Sequence, residues 1–384
     1  MSLLRVVLLS VALALSLAAT ALADATVVVK LAPRSVARLH AAERRLGARE
    51  VGTISGLDLR VVRVPGDAAA AARRLDRVRG VRWAEADVVL HAAATPSDPL
   101  FGATPLAGLG ASAAWDALGL GAFPARGGVR IGLVDTGVDA SHEDLRDRVV
   151  ACAAAAGGVV TDGGCADVAG HGTALAGVLA ATANNGVGIA GLAFSSPLVS
   201  CRALGPDGAG AGSDVAACIR WTHSRGAKVI VLGLAGPASR AVAEAVDDAW
   251  GGGHRGSAVV VAASGNDGGS AVRYPAGLAN VVSVGAVDRA DAVAPFSVRN
   301  ADVELTAPGV EVVSTRAGGG YAATSGTSLS AAFAAGAAAL LWDEHRRSAA
   351  STIRRHLDAF IRDLGAPGRD PAYGFGRLDL TPLG

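Results

Sequence analysis

VRIGLVDTG, from Val129 to Gly137, runs out of an almost unbroken apolar stretch into an acid, a threonine and a glycine. Because its apolar residues are consecutive and do not alternate, Val129 to Val134 reads as a strand buried on both faces. Such strands belong to parallel sheets with helices on either side. Asp135 then falls at a strand's carboxyl end, where sheets of this kind gather their active sites. Leu198 to Ala203, Lys228 to Leu234, Ala258 to Ala263 and Val281 to Val287 have the same character, and Asn266 follows one of them. Helical patterns lie between them at Ala174 to Ala183, Ser213 to Ser224 and Ala238 to Trp250. The alternation predicts an α/β fold, a mainly parallel sheet covered on both faces.

Two more glycine-rich signatures follow Val134-Asp135-Thr136-Gly137: Gly170-His171-Gly172-Thr173 and Ser325-Gly326-Thr327-Ser328. Alone, an Asp before a Gly starts a turn and a Ser before the apolar run Leu329 to Leu341 caps a helix. Together, in order and widely spaced, they supply an orienting acid, a base and a hydroxyl nucleophile. A free serine hydroxyl is a poor nucleophile at neutral pH, which is why the chemistry needs all three.

The chain of 384 residues is 51% hydrophobic, which excludes a mainly disordered polymer and allows one large domain with a companion. Aromatics are only 4% while glycines number 51, so the core must come from Ala, Val and Leu with close backbone approaches. At the start, Arg5, the apolar run Val6 to Leu17 and the small residues ending Ala21-Leu22-Ala23 form the pattern of a secretory signal over residues 1–23. A retained membrane anchor is the alternative, and no basic stop-transfer cluster follows closely. In an exported chain, Cys152, Cys165, Cys201 and Cys218 suggest two disulfides. Neighbour pairing would join Cys152 to Cys165 and Cys201 to Cys218, although four cysteines allow three pairings. Without a C-x-x-C pair they do not suggest zinc.

Charge is unevenly spread. Thirteen basic and seven acidic residues between Lys30 and Asp87 give +6 against +1 for the whole chain, leaving about −5 for the remainder. A basic leader and an acidic body attract, which suits a docking segment. Nucleic-acid binding finds no support in the context of the basic residues. Thr26 to Asp87 reads strand (Thr26 to Leu31), helix (Arg34 to Leu46), strand (Leu57 to Val64), helix (Ala68 to Val78), strand (Val81 to Glu85), a small α+β unit. A looser segment with Ala92 to Ala94, Pro96 and Pro99 comes next and reads as a linker.

On the Asp135, His171 and Ser328 signatures, over essentially everything after residue 23, the chain resembles the subtilases, the subtilisin-like serine peptidases. The resemblance implies a subtilisin-like three-layer fold and a secreted serine endopeptidase that works through an acyl-enzyme without a catalytic cofactor. In it Asp135 orients His171, His171 takes the Ser328 proton, and Asn266, within Ala262 to Gly268, supplies an oxyanion donor. Gly208-Ala209-Gly210 and Leu234-Ala235-Gly236 resemble the family's edge strands that pair with an extended peptide. Ala263, Ser264 and Gly265, with Tyr274-Pro275-Ala276, would wall the pocket for the side chain before the cut. Asp144 and Asn185, the latter in the loop Asn184 to Ile189, resemble a structural calcium site. Residues 24–94 resemble an inhibitory propeptide, removed by the enzyme itself near Leu90 to Thr95, with the peptidase domain spanning 95–384.

The implied partners are protein or peptide substrates and the chain's own propeptide, with no nucleic acid, and the implied state is a monomer. Ala332, Phe333, Ala174 and Ala235 depart from the family pattern, which points to altered specificity and not to inactivity. An α/β-hydrolase would carry a G-x-S-x-G elbow and the order Ser, Asp, His, and the chain has neither. A catalytically silent binding or scaffold protein of the same fold is the other reading. A binding module has no need of the Asn266 donor.

Overall fold

The computed structural model describes residues 25–88, 95–120 and 127–383, in two units with the boundary between residues 91 and 92. The expected signal at 1–23 and most of the expected cleavage region, Leu90 to Ala94, lie outside the described residues.

The smaller unit contains β1 (Ala25–Leu31), α1 (Val36–Leu46), β2 (Arg49–Ile54), β3 (Leu59–Val64), α2 (Ala68–Asp76) and β4 (Val81–Ala86). Its antiparallel sheet has the order β2-β3-β1-β4. Val27, Val29 and Leu31 alternate inward along β1 and bury against Leu39 of α1 and Leu75 of α2. Gly47, at φ 63°, ends α1 in the left-handed conformation that a glycine adopts without penalty. Asp67 caps α2 by accepting from the Ala69 N–H at 2.9 Å. Strand β2 was not expected, because REVGTI is mostly exposed and polar and forms only by pairing with β3.

In the larger unit, α3 (Ala111–Ala117) precedes β5 (Arg130–Asp135), β6 (Val149–Ala156), β7 (Val159–Asp162), α4 (His171–Ala180), β8 (Leu198–Arg202) and α5 (Gly212–Ser224). Next come β9 (Ala227–Leu232), α6 (Arg240–Trp250), β10 (Val259–Ala263), β11 (Val281–Val287), β12 (Leu305–Pro308), β13 (Val312–Thr315) and β14 (Tyr321–Thr324). α7 (Thr327–Glu344), α8 (Ala350–Ala359), β15 (Ile361–Arg362) and β16 (Arg377–Leu378) complete it. The ten-stranded sheet has the order β15-β16-β12-β11-β10-β9-β5-β8-β6-β7, parallel except at its two edge pairs. Strand order reverses at β5, with β8 on one side and β9 on the other, so Asp135 ends the strand at the switch point.

The strands sort their side chains to two cores. Ile131, Leu133, Val229 and Val261 join α4 and α7, whereas Val134, Ile230, Leu232 and Val260 join α5 and α6. α7 is apolar all round and buried from Thr327 to Trp342, the signature of a helix through the middle of a core. Ala332 and Phe333, two of the departures from the family pattern, are buried in it. The two disulfides join Cys152 to Cys165 and Cys201 to Cys218, each with Cα atoms 5.5 Å apart. The second ties β8 to α5.

Candidate active site

Asp135 is fully buried, and its Oδ1 accepts from the Thr136 N–H at 2.8 Å and from His171 Nδ1 at 2.7 Å. The His171 Nε2 lies 2.9 Å from Ser328 Oγ. Three elements meet here: the end of β5, the first residue of α4 and the first turn of α7. Burial on its own would push the His171 imidazole down, but its hydrogen bond to Asp135, the Asp135 charge and the Asp167 charge outweigh it. They hold His171 above its ordinary value. A base so arranged can take the Ser328 proton and bear the resulting positive charge.

Asn266 is aimed by its neighbour. Its Oδ1 accepts from the Thr327 N–H at 2.9 Å and from Thr327 Oγ1 at 2.8 Å, which turns Nδ2 the other way. A Cβ on Gly326 would lie 3.2 Å from Ser328 Oγ and 3.4 Å from Asn266 Nδ2. Glycine there keeps open the space between hydroxyl and amide, where the oxygen of a carbonyl under attack would sit.

Sequence reasoning did not single out Asp167, Thr327 or Gly233 as parts of the site. Asp167 accepts from Thr136 Oγ1 at 2.8 Å, from the N–H groups of Ala169, Gly170 and Thr173 at 3.0, 2.7 and 2.8 Å, and from Thr173 Oγ1 at 2.5 Å. Burial works against its charge, but these bonds hold its carboxyl below the usual range. It thereby ties the Asp135–Thr136 corner to the start of the His171 helix. A Cβ on Gly233 would meet Asp135 Oδ2 at 2.7 Å and His171 Cε1 at 3.1 Å. The signal in the sequence was an acid four residues before His171 and a glycine just after an apolar strand, neither distinctive alone.

Two cavities flank this centre. The first, about 400 Å³, is lined by Gly208, Gly210, Leu234, Ala235, Gly236 and Tyr274, among others. These glycine-rich segments are not the strands that were expected: 205–209 closes a turn, and only Gly236 bridges, to Tyr274. The chain has already left the sheet at these positions, beyond the ends of β8 and β9. Ala263, Ser264 and Gly265 line neither cavity. Ala263 and Ser264 are buried at the end of β10, and Arg273, ion-paired with Asp267, covers Gly265. The second cavity, about 390 Å³, contains His171, Asn266 and Ser328 and extends past Arg316, Thr324 and Ser325.

Asp98 and Asp144, the latter fully buried, lie at the Asn184–Ile189 loop. Asp98 accepts from the Asn184 and Asn185 N–H groups; Asp144 accepts from Asn185 Nδ2, the Ile189 N–H and Tyr321 Oη. Burial raises both carboxyls, and the Asp98 charge raises Asp144 further. No salt bridge reaches either acid among the described residues. Two buried acids without a basic partner supply hard oxygens of the kind calcium takes, while Asn185 turns its Nδ2 to Asp144 and its Oδ1 accepts from the Val187 N–H at 3.0 Å, so the amide would have to turn to ligate the ion. The residues fit that ion, although they include no group of three or more His, Cys, Asp or Glu among the described residues.

Comparison with known proteins gives two family matches. The model described as "Subtilase family" matches residues 126–376, and the model described as "Fervidolysin N-terminal prodomain" matches residues 15–87. Among curated relatives, the thermophilic serine proteinase of Bacillus sp. (strain AK1) is 35% identical over 347 residues, 88% of this chain and 83% of that protein. Thermitase of Thermoactinomyces vulgaris is 38% identical over 286 residues, 73% of this chain and 96% of its own. Subtilisin BL of Lederbergia lenta is 39% identical over 253 residues, 66% of this chain and 89% of its own.

Proposed function

Since this chain belongs to the subtilase family and is a subtilisin-like serine-type endopeptidase, we propose that Asp135, His171 and Ser328 carry its reaction. The observation that carries the reading is the unbroken relay from Asp135 Oδ1 through His171 to Ser328 Oγ, with contacts of 2.7 and 2.9 Å. Ser328 Oγ attacks the peptide carbonyl carbon as its proton passes to His171 Nε2. Asn266 Nδ2 and the Ser328 N–H receive the developing oxyanion. His171 then protonates the leaving amine, and water hydrolyses the acyl-enzyme by the same route in reverse. Catalysis in this family needs no cofactor, and calcium at Asp144 and Asn185 would serve stability alone.

The peptide before the cut runs along the first cavity, past Gly208 to Gly210 and Leu234 to Gly236. The methyl group of Ala235 narrows that path. Residues 24–94 form an inhibitory propeptide that the enzyme removes from its own peptidase domain, 95–384, and the prodomain match over residues 15–87 supports this. Export after loss of a signal at 1–23 agrees with two disulfides, which persist in oxidising compartments. No helix among the described residues is long and apolar enough to cross a membrane. The enzyme acts as a monomer on protein or peptide substrates, without nucleic acid. Asn266→Ala tests the assignment: kcat on a peptidyl anilide should fall about 10²–10³-fold, the cost known for removing one oxyanion donor in subtilisin, with the fold intact. Unchanged turnover would remove Asn266 from the mechanism.

A further inference from the structure

The cavity that holds His171, Asn266 and Ser328 also holds Arg316, and among the described residues no Asp or Glu lines it. Arg316 is exposed, and among the described residues no salt bridge reaches its guanidinium. Its backbone is nevertheless fixed. Residues 316–320 close a tight turn between β13 and β14, in which the Arg316 N–H donates to the Gly320 carbonyl and the Gly319 N–H donates to the Arg316 carbonyl, both at 3.0 Å. Arg316 Nε donates to the Gly319 carbonyl at 3.1 Å, and among the described residues its terminal nitrogens make no hydrogen bond.

The turn is also pinned from outside. Asp139 Oδ2 accepts from the Gly318 N–H at 2.9 Å, and His142 Nε2 lies 2.8 Å from the Gly320 carbonyl. Asp139, the acid bound to this turn, is further engaged by the Ser141 hydroxyl at 2.6 Å. A cation on a pinned turn, with its terminal nitrogens available to donate, is a preorganised receptor for a carboxylate.

On the function proposed above, substrate residues before the cut occupy the first cavity, which contains none of the three reacting side chains. The second cavity therefore faces the leaving half of the peptide. We propose that Arg316 is a specificity-determining residue, which selects an acidic side chain at the first or second position after the cleaved bond. This inference rests on Ser328 being the nucleophile. Because the guanidinium is exposed, the preference is modest, about two- to fivefold, and weakens with salt.

The test uses the full-length chain, allowed to process itself, with internally quenched peptides identical except for Glu, Gln or Lys at those two positions. A peptidyl anilide, with no residue beyond the cut, reports Ser328 chemistry separately. We expect kcat/KM for Glu to exceed that for Gln about two- to fivefold, with Lys lowest and the ratio shrinking at high ionic strength. In R316Q the Glu-to-Gln ratio should fall to about one, and in R316E the order of Glu and Lys should reverse. Each is a ratio within one protein, so it does not depend on how much of a variant folds. Anilide hydrolysis with a flat Glu-to-Gln ratio, or a ratio that survives in R316Q, overturns the role of Arg316. Failure to hydrolyse the anilide and every peptide overturns the nucleophile assignment, and this inference with it.

Discussion

Replacing Asp167 by Asn keeps the side chain's size but removes its charge and turns an NH2 toward groups that donate. The acid accepts three backbone N–H groups at the start of α4 and two hydroxyls, so the change strands several donors at once. A hydrogen bond to a charged group contributes about 1.5–3 kcal/mol, and at a half-buried site the Asn oxygen replaces part of it. A net loss of about 2–3 kcal/mol is expected, or about 3–5 °C in Tm for a unit of this size. Asp167 is held below its ordinary value, so its contribution is fully present above about pH 4 and is lost as pH falls through the folded value. The stability gap between parent and variant should therefore close in acid.

The same charge holds His171 up, so its removal should let the imidazole lose its proton at lower pH. The acid limb of kcat/KM then moves toward acid, while the plateau drops about tenfold as the Asp135 corner loosens. Thermal unfolding in a Ser328→Ala background, which avoids self-digestion, and a pH profile on a peptidyl anilide read the two effects. An unmoved acid limb with Tm within about 1 °C of the parent would refute the reasoning.

Gly233→Ala should lower kcat about 10²-fold or more with little change in folding at the far edge of the sheet, because the new methyl would press on Asp135 Oδ2 and His171 Cε1; kcat close to that of the parent, with the methyl accommodated, would contradict it. Removing calcium from the Ser328→Ala protein with a chelator should lower Tm by about 4–5 °C at neutral pH, as expected for an ion held near 100 times its Kd. With the ion gone, Asp98 and Asp144 retain raised values, so the chelated protein gains stability on acidification and loses it as pH rises through those values. Differential scanning calorimetry across pH measures both, and a chelator without effect would dismiss the site.

The parts of the fold legible in the sequence were those where one physical demand acts alone. Apolar strands such as Val281–Val287 are buried on both faces, so their composition gave their type and bounds directly. Strand β6 escaped notice because VVACAAAA is mostly alanine, a poor strand former, and pairing with β8 overrides that preference. The hairpin β13–β14 escaped because VVST is mostly buried and YAAT mostly exposed, so neither short strand alternates; yet it brings Arg316 and Thr324 to the site. Among the site residues, Asp135, His171 and Ser328 stood out through their glycine neighbours. Thr327 and Asp167 act by hydrogen bonds to backbone and to other side chains, which leave no pattern in composition. Arg273 over Gly265 could not be foreseen, since it depends on how the loop after Asn266 folds back.

The most direct test of the central claim tracks intact mass over time for the chain from Asp24 onward beside its Ser328→Ala variant. The parent should lose its leader near residues 90 to 95 while the folded variant stays whole. A folded parent that stays whole, or a variant that cleaves itself as the parent does, would contradict it.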